Sequence, residues 1–157
     1  MELWFDPEVA IDAARKDCEV FKRDGDPYHS LYWGLVVPVR LMSELGEDLL
    51  PADLGGGPCR VPLLKLATTL NARMEESSER VELDFGGTLT SVVTFERTSA
   101  SHVRVENHSS GLGIDLSFEE FKAAVSRFNV AISEVLQTTC PSLFSAVLAK
   151  GWLRAPN

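Results

Sequence analysis

The spacing of apolar residues along the chain changes its period twice. Up to about residue 76 and again after residue 117, apolar residues recur every three or four positions, as in amphipathic helices. Between residues 80 and 116 they recur at every second position, as in strands with one buried face. The pattern predicts an α+β fold in which a four-stranded antiparallel meander at about 80–116 packs against N-terminal and C-terminal helices.

The element boundaries follow from this pattern and from local capping signals. Asp6 followed by Pro7, and Ser117 followed by Glu120, are typical helix starts. We expect helices at about 7–23, 28–45, 62–76, 118–137 and 141–150. We expect strands at about 80–85, 88–97, 102–107 and 111–116, with a further short strand at 3–5. No linker or internal repeat divides the chain, so we expect a single domain over residues 1–157.

The second helix, at 28–45, has a competing interpretation. Leu31, Leu35, Val39 and Met42 follow one another at helical spacing, which favours a helix that Pro38 kinks or interrupts. The β-branched residues between 35 and 39 favour a strand instead. We prefer the helix.

Hydropathy and cysteine content indicate a soluble cytoplasmic protein. No apolar run approaches the roughly 20 residues that span a bilayer, and the N-terminus lacks the pattern of a secretory signal. The three cysteines, Cys18, Cys59 and Cys140, are widely spaced and include no CxxC pair. Their number and spacing argue against both a disulfide framework and a zinc site, and favour a reducing cytoplasm.

The formal net charge of −8 is concentrated in two segments. The acids of the first segment are Glu44, Glu47, Asp48 and Asp53, and those of the second are Glu75, Glu76, Glu79, Glu82 and Asp84. This distribution speaks against nucleic-acid or anionic-membrane binding and suits a basic protein partner. The plain alternative is that both segments are solvated faces that keep the protein soluble.

Candidate catalytic chemistry is sparse. The histidines are His29, His102 and His108, and no nucleophile elbow, HExxH motif or adjacent Cys–His pair accompanies them. A metal site is not indicated, because His102 and His108 fall at opposite ends of one predicted strand. We therefore expect no catalytic residues, no cofactor and no bound metal.

Tyr28, Tyr32 and Trp33 cluster at the start of the second predicted helix. Residues 28 and 32 share a helical face, so the cluster is either part of the core or a rigid aromatic anchor of an interface. Core residues of this type are more common, and we expect the core.

In its acidic balance, its size and its layout, the chain resembles bacterial immunity proteins of interbacterial toxin systems. The resemblance rests on the order of elements, with helices, a meander at 80–116 and then the stripe in FEEFKAAVSRFNVAISEVL. It implies that the protein neutralises a cognate basic toxin by direct contact. The two acidic segments and the aromatic cluster are then the expected contact residues.

The alternative is a small enzyme or ligand-binding domain with a pocket between sheet and helices. His102, Glu106 and Asp115 are the residues that such a pocket would use. A recognisable catalytic constellation is missing from the sequence, so the binding role is preferred.

Overall fold

The computed structural model describes residues 1–50, 56–75, 80–84 and 92–154. Its strands are β1 (Glu2–Phe5), β2 (Val36–Met42), β3 (Cys59–Pro62), β4 (Arg80–Asp84), β5 (Val92–Arg97), β6 (His102–Asn107) and β7 (Leu112–Ser117). Its helices are α1 (Pro7–Asp24), α2 (Tyr28–Tyr32), α3 (Leu63–Glu75), α4 (Phe118–Thr139) and α5 (Pro141–Ala149).

The strands form two antiparallel sheets, one in the order β1-β2-β3 and one in the order β4-β5-β6-β7. The α+β class is therefore confirmed. The expectation of a single sheet was wrong, because the first half of the chain contributes a second sheet of its own. The connection between the predicted strands at 80–85 and 88–97 lies outside the described residues.

The predicted helix at 28–45 was also wrong. Only Tyr28–Tyr32 is helical, and Val36–Met42 is the central strand of the three-stranded sheet. The β-branched residues accounted for the strand better than helical spacing did. Pro38 is tolerated there because pairing between β1 and β2 ends at Phe5 and Val39, which leaves position 38 with only one neighbouring strand.

The predicted helix starts are present in the structure. The Asp6 carboxylate accepts a hydrogen bond from the Glu8 N–H at 2.9 Å, and Pro7 occupies the first turn of α1. Ser117 and Glu120 form a complete capping box at the start of α4. These signals are local, so they were readable in the sequence.

Helix α4 lies at the centre of the fold and contacts both sheets. Phe128 packs edge-on against Phe5 of β1 with ring centroids 5.7 Å apart, and Phe121 contacts Phe95 of β5 at 6.0 Å. Both α4 phenylalanines are buried. One continuous hydrophobic core therefore joins the two sheets through α4.

Cys18 and Cys140 form a disulfide, which contradicts the expectation from cysteine spacing. Their Cα atoms are 5.6 Å apart, and 122 positions separate them in the chain. The bond connects α1 to the junction between α4 and α5. Cys59 is a buried cysteine outside this bond.

A buried amide pair holds the C-terminal segment in place. Asn71 of α3 and Asn129 of α4 donate to each other's side-chain oxygen at 2.9 Å. The Asn71 amide also donates to the Trp152 carbonyl at 3.2 Å. Trp152 is thus fixed between two helices, in the position from which it supports the surface described below.

Candidate functional site

The aromatic surface formed by Tyr28, Tyr32 and Trp33 is exposed, contrary to the expectation that these residues belong to the core. Trp33 leaves 77% of its surface accessible, and the two tyrosines are about half exposed. Single exposed apolar residues are common, but several exposed aromatic side chains that lie together are an informative exception. The cluster therefore fits the interface alternative.

Tyr28, at the start of α2, packs against the C-terminal segment. The ring of Tyr28 meets Trp152 edge-on at 5.1 Å, and the Lys150 ammonium lies 5.1 Å from the centroid of the Tyr28 ring. The Tyr28 N–H donates to the Asp26 carboxylate at 2.9 Å. These contacts restrain Tyr28 while leaving it accessible.

The chain leaves α2 through a tight turn at Trp33, Gly34 and Leu35. The N–H groups of Trp33 and Gly34 both donate to the His29 carbonyl, at 2.8 and 3.0 Å. Leu35 is buried and has a φ of 47°, in the left-handed region that branched and bulky residues rarely adopt. The Trp33 side chain therefore projects from a backbone segment that is hydrogen-bonded to His29 of α2 and that turns sharply at Leu35.

A buried carboxylate lies beneath this turn. Asp17 of α1 is only 6% exposed, and its Oδ2 has no well-formed hydrogen bond to any described residue. A Cβ at Gly34 would lie 2.5 Å from the Asp17 Cγ, so the carboxylate occupies the space that a side chain at position 34 would need. Burial raises the pKa of Asp17, against smaller opposing effects of the Ser30 hydroxyl, the charge of His29 and the Leu35 N–H.

Sequence reasoning missed Asp17, although a signal was present. Position 17 lies three residues after Ala14 and seven after Ala10, so it falls on the buried stripe of α1. A charged residue on an apolar stripe is the kind of exception that indicates a special role.

The first acidic segment contains one structural carboxylate. Asp48 accepts hydrogen bonds from the N–H groups of Leu41 and Leu50, at 3.1 and 3.0 Å, and is half-buried. These two hydrogen bonds give Asp48 a structural role in this turn. Glu44 and Glu47 are exposed, and Asp53 lies outside the described residues.

The exposed acids and the aromatic surface do not form one patch. Glu44 and Glu47 follow the end of β2, whereas Trp33 precedes its start. Seven residues of strand span about 20 Å. The two groups of predicted contact residues thus lie at opposite ends of one strand.

The second acidic segment is described only in part. Glu75 is the last residue of α3, and Glu82 and Asp84 belong to β4. Glu76 and Glu79 lie outside the described residues.

The residues proposed for an enzyme do not assemble into a catalytic site. Glu106 and Asp115 both pair with Arg104, at 3.1 and 2.7 Å. His102 lies elsewhere on β6, exposed, with its Nδ1 2.9 Å from the Ser101 hydroxyl. Both carboxylates are therefore engaged in ion pairs with the same arginine.

A threonine–histidine contact comes closer to a nucleophile and base. The Thr94 hydroxyl is 3.0 Å from the His108 Nε2, and Glu106 Oε1 is 3.9 Å from the His108 Nδ1. Thr94, however, is buried, with 3% of its surface exposed. A substrate carbonyl cannot reach this hydroxyl, so the contact is structural.

A shallow groove separates β1 from α1 and α4. Its volume is about 330 Å³, and mostly apolar side chains line it, among them Trp4, Ile11 and Val135, with Glu134 also in the lining. The groove borders the three-stranded sheet, whereas the pocket of the alternative interpretation was expected at the meander that carries His102, Glu106 and Asp115.

Clusters of potential metal ligands and membrane-spanning helices are not found in the part of the chain that the structure describes. No group of three or more potential metal ligands comes together there. None of the described helices combines the length and apolar character needed to cross a membrane.

Comparison with protein-family models, with curated proteins and with solved structures finds no match to this chain.

Proposed function

We propose that this protein is a protein-binding module whose contact centre is the aromatic surface. The observation that carries the proposal is the 77% exposure of Trp33 on a turn held by hydrogen bonds and packing. Tryptophan and tyrosine are the residues that most often dominate binding free energy at protein interfaces. Rigid aromatic side chains bury a large area and lose little conformational entropy on binding.

The partner we propose is a basic protein domain, and an immunity role against a cognate toxin is its most specific form. The net charge of −8 supports a basic partner. Exposed Glu44 and Glu47 would attract such a partner over long range, whereas Trp33 would hold it at short range. The two contributions are separable, because the first affects the association rate and the second the dissociation rate.

The test is capture of the partner from the native organism with tagged protein, followed by affinity measurements on the recovered complex. Trp33→Ser should weaken binding about 30-fold or more, as expected for a residue worth 2 kcal/mol at an interface. Trp4→Ser is the matched control, since Trp4 is another exposed tryptophan but lies opposite Arg40, far along β2 from the aromatic surface. Equal affinities for wild type and Trp33→Ser would contradict the proposal.

A separate double variant tests the contribution of the acidic residues to the association rate. Glu44→Ser combined with Glu47→Ser should slow association and reduce its dependence on salt, while the dissociation rate stays close to that of the wild type. Association kinetics that do not change would remove this acidic turn from the interface.

A ligand-binding function is the second candidate, because the groove beside β1 approaches the volume of small-molecule sites, about 300–1,000 Å³. Its apolar lining suits a small apolar molecule. An environment-sensitive apolar dye should bind the wild-type protein and lose affinity in Ala131→Phe, which fills the groove. Identical dye titrations for the two proteins would exclude this candidate.

A further inference from the structure

We infer that Asp17 is a positioning residue for the proposed contact centre: its buried carboxylate fixes the Gly34–Leu35 turn and thereby the direction in which Trp33 projects. The inference rests on the proposed function for its purpose, but the positioning itself is measurable without a partner.

The first step is the packing of Asp17 against Gly34. A Cβ at position 34 would overlap the carboxylate, so the backbone of the turn lies directly against the Asp17 side chain. Such close approach is available only to glycine. The Asp17 carboxylate therefore packs directly against the backbone of the turn.

The second step is the conformation of Leu35. A positive φ is unfavourable for a non-glycine residue, so it persists only where the surroundings enforce it. The Leu35 carbonyl accepts the N–H of Leu63 at 3.1 Å, and the Leu35 side chain is 1% exposed. The Leu35 N–H also opposes the rise in the pKa of Asp17 that burial causes. The hydrogen bond from Leu63, at the start of α3, thus fixes Leu35 on one side, and on the other side Asp17 of α1 packs against the adjacent Gly34.

The third step leads to Trp33. Its own N–H and that of Gly34 are anchored to the His29 carbonyl, and the residue after Gly34 is anchored as just described. Two fixed neighbours leave the Trp33 backbone little freedom, although its ring lies in solvent. An anchor that is rigid before binding loses less entropy on association.

The fourth step is the chemical type of residue 17. A buried carboxylate with an oxygen lacking a well-formed hydrogen bond destabilises the native state at neutral pH, so packing alone does not favour aspartate here. The Ser30 hydroxyl and the Leu35 N–H both lower the pKa of Asp17 against the effect of burial, as hydrogen-bond donors to a carboxylate do, so an acceptor is favoured at this position. Asparagine keeps an acceptor at this position, whereas alanine removes it.

The experiment compares Asp17→Ala with Asp17→Asn and with Asp12→Ala, a matched control on the exposed side of α1. In ¹⁵N relaxation, the order parameter of the Trp33 backbone amide should fall from about 0.85 to below about 0.6 in Asp17→Ala. It should be retained in Asp17→Asn and in Asp12→Ala. An unchanged order parameter in folded Asp17→Ala would overturn the inference.

A second pair of variants tests the geometry even if Asp17→Ala folds poorly. Gly34→Ala alone should lower the melting temperature, and adding Asp17→Ala should recover part of the loss by removing the overlap. A Gly34→Ala protein that melts like the wild type would also overturn the inference.

Binding supplies the final readout and keeps the two proposals distinguishable. With the captured partner, Asp17→Ala should lose about tenfold in affinity and Asp17→Asn should stay close to wild type. If Trp33→Ser binds like the wild type, the proposed function fails, while relaxation of the Trp33 amide still decides the role of Asp17. If Trp33→Ser loses binding but Asp17→Ala keeps both rigidity and affinity, only the positioning role fails.

Discussion

Removal of the disulfide should have a large effect on the free energy of unfolding. The perturbation is Cys18→Ser combined with Cys140→Ser, at two positions that are buried in the core. The bond closes a loop of 122 positions. In the chain-entropy model that loop removes about 16 cal/mol/K from the unfolded ensemble, or about 5 kcal/mol at 25 °C.

Measured effects are usually smaller than the model value, so we expect a loss of about 3–5 kcal/mol. For a domain of this size that corresponds to a fall in melting temperature of about 10–15 °C. A protein with a typical total stability of about 5–15 kcal/mol would then retain a reduced margin, and the unfolded fraction would rise by several hundredfold or more.

The assay is equilibrium unfolding in urea, followed by circular dichroism, with Cys59→Ser as the matched control. Wild type and Cys59→Ser should both keep the disulfide. When they are unfolded and refolded in reductant, their urea midpoints should shift to that of the double variant. The slope of the transition should steepen without the bond, because the unfolded chain becomes less compact.

Two results would refute this reasoning. One is a double variant with the midpoint of the wild type, and the other is a peptide map without a peptide that joins Cys18 to Cys140. A bond that forms in the native organism would also place the protein in an oxidising compartment, in contrast to the cytoplasm that cysteine spacing favoured. Thiol trapping in intact cells decides between these compartments.

Further predictions concern single side chains. Phe128→Ala should destabilise by about 3–5 kcal/mol in urea unfolding, because the ring is buried against Phe5, and a loss below about 1 kcal/mol would contradict the core position. Asn71→Ala should cost about 1–3 kcal/mol by leaving the buried amide of Asn129 without its partner, and a double-mutant cycle should show coupling. Burial raises the pKa of Asp17, so its contribution to stability is present at acid pH and is lost as pH rises through the native pKa. Asp17→Asn should therefore show a weaker dependence of unfolding free energy on pH and should be more stable than the wild type at neutral pH. Parallel pH profiles of the two proteins would exclude the assignment.

Helix starts and the strands after residue 80 were predictable because their signals are local. The capping box at Ser117 and Glu120 lies within four residues, and Pro7 follows its capping residue directly. The alternation in β6 is equally local, with Val103 and Val105 facing the core. At these positions the local sequence preferences agree with the tertiary structure, so short segments of sequence are sufficient to predict the elements.

The residues of strand β2 were compatible with both a strand and a helix, so its own sequence did not decide between them. Its partners are β1, more than thirty positions earlier, and β3, about twenty positions later. The helical spacing of Leu31, Leu35 and Val39 is real, but the backbone reverses at Leu35 and ends any helix there. The disulfide was missed for the same reason, since only the packing of α1 against α4 brings Cys18 to Cys140.

The candidate site was visible in part. Tyr28, Tyr32 and Trp33 were identified as a cluster, but helical spacing alone cannot distinguish a buried face from an exposed one. The acidic residues were identified by charge, yet charge did not reveal that Asp48 holds a turn. Exposure and hydrogen bonding depend on the surrounding fold, and short sequence windows do not contain them.

The departures from local rules in this protein converge on one place, and this convergence is the strongest argument for a function there. Asp17 is a buried carboxylate, Leu35 has a positive φ, and Trp33 is a largely exposed tryptophan. Each is unfavourable by itself, and the three are joined through Gly34. Natural chains keep such combinations mainly at functional sites, because elsewhere substitution would relieve them. This turn, which combines three locally unfavourable features with one exposed aromatic ring, is therefore the part of the structure on which the proposed protein-binding role rests.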